Sequence, residues 1–265
     1  MSPFYIFGSV YRHRYLLFLW VRREMQARYA GSVSGIFWAV SLPLATVAMY
    51  FVFFSLILKI KIPQIAGASG FFFYLLAGLL PWMSVSEASS RASSCLVEQG
   101  HLLQRMVFPM DILPASVIIV SLVPQLVGTI VYLAMLAAQG LLHASAIVML
   151  PAIFICQIIM ITGLAYCFAA AGAVFRDIIQ ALTVLLQFWF YMTPILYPWE
   201  LIPQNFAWIM NFNPLAALIK AYQCAFLGLP LAWQDWGLLA VWTCIVGISG
   251  MIFYALFRPS LVDQL

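Results

Sequence analysis

Charged residues punctuate this chain so sparsely that the gaps between them outline its elements. Residues 29–58 carry no Asp, Glu, Lys or Arg, and after Lys59 and Lys61 the stretch 62–86 is clean again. A polar patch follows with Glu87, Arg91, Glu98, His101, Arg105 and Asp111. Residues 112–175 then run uncharged to Arg176 and Asp177, and 178–199 and 236–257 are also free of charge. A helix advances ~1.5 Å per residue and needs ~20 apolar residues to cross a ~30 Å hydrocarbon core. The run 112–175 is too long for one crossing, and Gln139-Gly140 with His143 marks the turn that divides it. Six crossings fit, at 33–58, 70–92, 112–138, 144–172, 178–197 and 236–257. A membrane barrel is excluded, because the runs do not alternate and a barrel lumen needs many more polar residues. The pattern predicts an all-α membrane protein of six transmembrane helices, forming a single transmembrane domain over 1–265.

Two segments fit no simple crossing. Over 4–28, aromatic and aliphatic residues such as Phe4, Tyr15, Phe18 and Trp20 alternate with five arginines. Each arginine would cost ~2.5–3.5 kcal/mol at mid-bilayer, but can gain ~1 kcal/mol among anionic headgroups. The segment therefore reads as an amphipathic interfacial helix, with Glu24 and Arg28 an i,i+4 pair on its polar side. The second segment, 198–234, holds Pro198, Pro203, Pro214 and Pro230 and all three asparagines. It is too apolar for an aqueous loop and too proline-rich for one helix, so short re-entrant helices in the outer leaflet are expected.

Composition narrows the solvent. Of 265 residues, 65% are hydrophobic and only 8% charged, about a third of the ~25% usual in a soluble domain. The net charge of +4 is too sparse for a nucleic-acid surface but can orient a membrane protein. With the N-terminus in the cytoplasm, nine of the twelve basic residues lie inside, leaving Lys59, Lys61 and Lys220 outside. Both termini are therefore expected in the cytoplasm. Arginines interrupt the N-terminal apolar stretch, so no secretory signal is expected. The five cysteines form no CxxC pair and read as small apolar residues.

Catalytic and nucleotide-binding patterns are missing. There is no Gly-Lys pair for a phosphate loop and no HExxH, GxSxG or GxGxxG, so neither an enzyme nor a metal site is expected. Glu87 lies about one turn inside the inner end of the second crossing, with Arg91 four residues on. That reads as an inner-end ion pair, against the alternative of an ion-coupling carboxylate. Pro43 and Pro81 are expected to kink their helices, and Gly31 with Gly35 could bring helices close. Nine aromatics fall between 188 and 212. They read as an interfacial belt or as a ring-lined exit for sugars.

The order of short motifs is familiar. Arg23-Glu24-Met25-Gln26-Ala27-Arg28-Tyr29-Ala30-Gly31-Ser32 leads into Gly35-Ile36-Phe37-Trp38 and Pro43. Gly78-Leu79-Leu80-Pro81-Trp82, Val107-Phe108-Pro109, Ile112-Leu113-Pro114 and Asn213-Pro214-Leu215 follow. Over essentially its whole length the chain resembles the membrane permease subunit of type-2 ABC polysaccharide exporters, particularly the O-antigen branch. The resemblance implies a homodimer in the cell inner membrane bound to two copies of a separate ATPase subunit, which would hold ATP and Mg. The cargo would be a lipid-linked polysaccharide, exported from cytoplasm to periplasm as part of lipopolysaccharide biosynthesis.

It further implies a cytoplasmic coupling segment at 94–108. Glu98, His101, Gln104 and Arg105 are then candidates for ATPase contact, with Arg176 and Asp177 in the next inner turn. The polymer path would be bordered by the first and fifth crossings, with Trp38, Tyr50, Trp189, Tyr191 and Met192 as lining candidates. Capsular polysaccharide or teichoic acid export would use the same architecture. An intramembrane lipid-glycan enzyme and an ion-driven carrier are the alternatives of a different class.

Overall fold

A computed structural model describes residues 5–29, 41, 45–46, 48–53, 68–100 and 108–264. Among them every regular element is helical: α1 Tyr5–Arg12, α2 Arg14–Tyr29, α3 Ala68–Glu98, α4 Ile112–Ala138 and α5 Ala144–Val174. Then come α6 Asp177–Met192, a 3-10 turn Trp199–Leu201, α7 Gln204–Asn211, α8 Pro214–Leu227 and α9 Trp233–Gln264. Among the described residues, four stretches are long and apolar enough to cross a membrane: Gly70–Glu98, Ile112–Ala138, Ala144–Val174 and Trp233–Pro259. They coincide with four of the expected crossings. Of the first, 33–58, only residue 41 and parts of 45–53 are described, and those are helical. Pro43, the Gly31 and Gly35 pair, Lys59 and Lys61 lie outside the described residues.

The expected fifth crossing, 178–197, needs correction. Helix α6 has 16 residues and stops at Met192, so it spans only about 24 Å. Thr193 is already extended (φ −100°, ψ 132°) because Pro194 follows it, and a proline pushes its predecessor out of the helical region. The expected N-terminal helix over 4–28 is likewise two helices, with a turn at His13 that keeps the bonds His13 N–H to Ser9 O (3.1 Å) and Leu17 N–H to His13 O (3.0 Å). Ile6, Ser9 and Trp20 face inward, while Tyr11, Tyr15 and Phe18 are exposed.

The turn after α4 forms at Gly140, whose φ of +68° a glycine adopts without strain. The segment 198–234 folds as short helices divided at its prolines. Asn213 caps α8 by accepting from the N–H groups of Leu215 (3.1 Å) and Ala216 (3.3 Å), and Pro214 takes the first helical position. That position has no partner for an N–H, so the proline costs nothing there.

Helix α5 is the hub, packed against α3, α4, α8 and α9. Its glycines let backbones touch. A methyl at Gly163 would lie 2.1 Å from the Val246 carbonyl oxygen on α9, and one at Gly172 would lie 1.9 Å from the Ser93 oxygen on α3. Polarity is distributed as it should be when the solvent is lipid. Ile130, Ile147, Val148, Ile248 and Leu256 are exposed, whereas Gln125, Gln157, Thr243 and Asp111 are buried. Gln125 and Gln157 exchange two amide hydrogen bonds of 2.7 Å between α4 and α5. The Tyr222 hydroxyl on α8 donates to the same Gln157 oxygen. Helices without a hydrophobic drive to associate gain cohesion from such bonds and from close backbone packing.

Candidate functional site

Charged side chains gather where α2 crosses the C-terminal half of α3. Trp20, Glu24 and Arg28 recur at four-residue spacing on α2, so they share one face. Glu87 and Arg91 do the same on α3. The two faces meet. Arg28 makes paired bonds to Glu87, Nη1 to Oε1 at 2.5 Å and Nη2 to Oε2 at 3.0 Å. Arg91 donates to Glu24 Oε2 at 3.2 Å, and the Trp20 indole donates to Glu24 Oε1 at 3.2 Å. Arg91 also lies 3.6 Å from Glu87. Sequence spacing assigned Glu24 to Arg28 and Glu87 to Arg91 within their own helices. The structure draws the four into one network whose shortest ion pair runs between helices. Arg23 stacks over the Trp20 ring at 4.8 Å, and Trp20 contacts Phe108 at 5.3 Å.

Trp20, Arg23, Glu24, Arg28, Glu87 and Arg91 wall a cavity of about 430 Å³ that Glu98 and Gln99 also line. Glu98 is exposed as the last residue of α3. Arg176 and Asp177 are exposed in the turn between α5 and α6, at the same end of the bundle as Glu98, because Gly172 packs on Ser93. His101, Gln104 and Arg105 lie outside the described residues.

A second cavity, of about 320 Å³, lies between residues 46–50, α3 and α6. Thr46, Ser86, Ser90, Thr183 and Gln187 give it hydroxyls and an amide. Tyr50, Trp82 and Phe190 give it rings, with Phe190 5.8 Å from Tyr50 and 5.5 Å from Trp82. No described lining residue is charged. Tyr50 is thus on the cavity, whereas Trp38 lies outside the described residues.

The other expected lining residues are not among those that wall this cavity, although the Tyr191 ring packs on Phe190 with 5.4 Å between centres. The Trp189 indole donates to Asn213 Oδ1 at 2.8 Å, anchoring α6 on the start of α8. Met192 offers its carbonyl to the Asn213 amide at 3.4 Å. Tyr191 is exposed, with its carbonyl accepting from the Tyr197 hydroxyl at 3.1 Å. Phe190 belongs to the aromatic cluster 188–212 noted in the sequence, whereas Trp82 and the polar residues of the cavity carried no lining assignment there. The signal was present in Ser86 with Ser90 and Thr183 with Gln187, polar pairs four apart inside apolar runs.

A third cluster went unread. Asp111 is fully buried and accepts two parallel bonds from Arg258 on α9, Nε to Oδ1 and Nη2 to Oδ2, both 3.1 Å. The Tyr254 hydroxyl adds a bond to Oδ1 at 3.1 Å, and Tyr166 on α5 donates to the Asp111 carbonyl at 2.8 Å.

The sequence pattern of one family, ABC-2 type transporter, matches residues 15–227, from α2 to the end of α8. The chain belongs to the ABC-2 type transporter family. It is 30% identical over 249 residues to the O-antigen export system permease protein RfbA of Myxococcus xanthus, covering 92% of this chain and 94% of that one. A Klebsiella pneumoniae protein of the same name is 27% identical over 240 residues, 90% of each chain. The polysialic acid transport protein KpsM of Escherichia coli is 24% identical over 234 residues, 88% of this chain and 89% of its own. For an ABC-2 family chain the two cavities have a natural division of chemistry. One is walled by ion pairs at a helix junction, and the other is uncharged, hydroxyl-bearing and flanked by rings.

Proposed function

We propose that this ABC-2 family chain is the permease of an ATP-driven exporter that moves a lipid-linked O-antigen polysaccharide across the inner membrane. What carries the reading is the match, over nine-tenths of both chains, to proteins named as O-antigen export permeases. The lower identity to the polysialic acid transport protein makes capsule export the weaker form of the same reading. The uncharged cavity agrees with either. Hydroxyls and an amide exchange hydrogen bonds with sugar hydroxyls, rings stack on apolar sugar faces, and no fixed charge traps a sliding polymer.

In this reading two copies of the chain sit on two copies of an ATPase subunit, which supplies nucleotide and Mg. The α2 end of the bundle faces the cytoplasm together with both termini, in keeping with the inward bias of arginine. Helices α1 and α2 lie at the lipid interface, and α7 and α8 re-enter from the outer leaflet. Glu98, His101, Gln104 and Arg105 meet the ATPase, with Arg176 and Asp177 beside them. Trp38, Tyr50, Trp189, Tyr191 and Met192 border the polymer path, joined by Trp82, Phe190, Ser86 and Gln187 of the uncharged cavity. The permease itself performs no covalent chemistry on cargo.

Deleting the gene in its host and complementing with wild type or with the double variant Glu98→Ala, Arg105→Ala tests this. Loss of the long-chain lipopolysaccharide ladder on deletion, and failure of the double variant to restore it, are expected. An intact ladder after deletion, or glycan movement by vesicles holding the permease without any ATPase, would overturn the reading.

A further inference from the structure

Asp111 sits where a helix-capping residue belongs, directly before α4, yet its carboxylate makes no capping bond to its own helix. The first N–H groups of α4 turn back instead to main-chain oxygens, Ile112 to Pro109 (3.1 Å) and Leu113 to Met110 (3.2 Å). An aspartate ordinarily stabilises a helix start by accepting from those N–H groups. Here the carboxylate is turned away and spent on a partner 147 positions along the chain. Arg258 grips both oxygens, and its guanidinium lies 5.0 Å from the centre of the Tyr5 ring on α1. Tyr254 and Tyr166 bring in a further turn of α9 and the hub helix α5.

A fully buried carboxylate is costly unless paired and hydrogen-bonded, and a two-point arginine contact fixes orientation as well as distance. In a chain with only 8 acidic residues, that one is committed to a long-range tie at the mouth of α4. Its location is specific. Asp111 follows the expected coupling segment 94–108 by three residues, and Phe108 packs on Trp20 of α2. Displacement of that segment therefore reaches Asp111 before it reaches the body of α4.

We propose that Asp111 and Arg258 are a positioning pair, a strut that makes α9 and α1 move as one body with the cytoplasmic turn before α4. The proposal rests on the exporter reading, in which that turn is driven by an ATPase. Without the strut the turn would move against α9, and nucleotide-driven displacement would be absorbed locally rather than passed across the bundle.

The test uses the permease assembled with its ATPase subunit in nanodiscs, its native cysteines replaced, with spin labels at Met110→Cys in the turn before α4 and Leu256→Cys on α9. In the otherwise wild-type protein the label separation stays a single narrow distribution when ATP and magnesium are added. With Asp111→Asn the distribution broadens or splits on addition of ATP, while ATPase binding persists. Export by Asp111→Asn falls roughly tenfold, the scale of a coupling loss rather than of misassembly. A second variant, Asp111→Cys with Arg258→Cys, is expected to show the same loss and to recover export when a short bifunctional thiosulfonate bridges the two thiols.

An unchanged distribution in Asp111→Asn with ATP overturns the strut. So does a bridged double variant that exports no better than the unbridged one, or a failure of both variants to assemble, which would reduce the pair to a folding element. Failure of the exporter reading looks different, because the wild-type permease would then bind no ATPase subunit.

Discussion

Two seams of this bundle are built on opposite principles. Along the α5–α9 seam, backbone meets backbone. A methyl added at Gly163 or Gly250 would fall about 2 Å from a carbonyl oxygen of the facing helix, so the helices have no room to shift. Along the α2–α3 seam, contact is made by long side chains in ion pairs around a cavity of about 430 Å³. Those side chains are 20% to 37% exposed, and water and salt compete for them. The first seam has no slack, and the second is held by side chains that water can reach. Sequence composition separates the two: glycine where backbones touch, arginine and glutamate where long side chains bridge.

If that contrast holds, substitutions should rank by seam. Gly163→Val is expected to be the most damaging, about 3 kcal/mol, because the new side chain meets main chain that cannot rotate away. Loss of monodisperse protein after detergent extraction would report it, and normal yield would mean that α5 and α9 are not rigidly joined. Gln157→Leu comes next at about 1–2 kcal/mol, since it strands the Gln125 amide and the Tyr222 hydroxyl. Replacing Gln125 by Leu as well should cost less than the two single changes added together, read as thermal unfolding of the four proteins. Asn213→Ala should cost roughly 1 kcal/mol through the lost helix cap. It should also shift Trp189 emission, because the indole loses its acceptor. Arg28→Gln should be mildest, under about 1 kcal/mol, with the difference from wild type shrinking as salt is raised. A large salt-independent loss there would show that water does not reach the α2–α3 seam.

Much of the architecture was legible in the sequence because lipid imposes so plain a rule. The uncharged runs 112–138 and 144–172 became α4 and α5 nearly residue for residue, with the turn at Gly140. Prolines divided 198–234 where the short helices divide. The end of α6 was misjudged because the apolar run continues to 199 whereas the helix obeys Pro194.

Facing was harder to read. Around a helix that is apolar on every side there is no polar stripe to orient it, so nothing in the sequence sets Phe190 apart from Trp189, the lining candidate of the pair; packing sends Trp189 to Asn213 and Phe190 to Tyr50. Long-range pairing left no trace at all. Glu24 has Arg28 four residues away and takes Arg91 as a cross-helix partner, and Asp111 finds Arg258 across most of the chain. Local spacing rules rank neighbours; they carry no information about which helix ends share a mouth.

The brevity of α6 bears on how its C-terminal end is covered. A 16-residue helix falls roughly 6 Å short of the ~30 Å of acyl chain that a full-length neighbour crosses. From Thr193 onward the chain leaves the helix, yet residues 193–196 are buried, and the Pro194 carbonyl accepts from the Tyr74 hydroxyl (3.2 Å) and the Gln223 amide (3.1 Å). What lipid would leave bare at the end of a short helix is thus closed from within, by one tyrosine of α3 and one glutamine of α8.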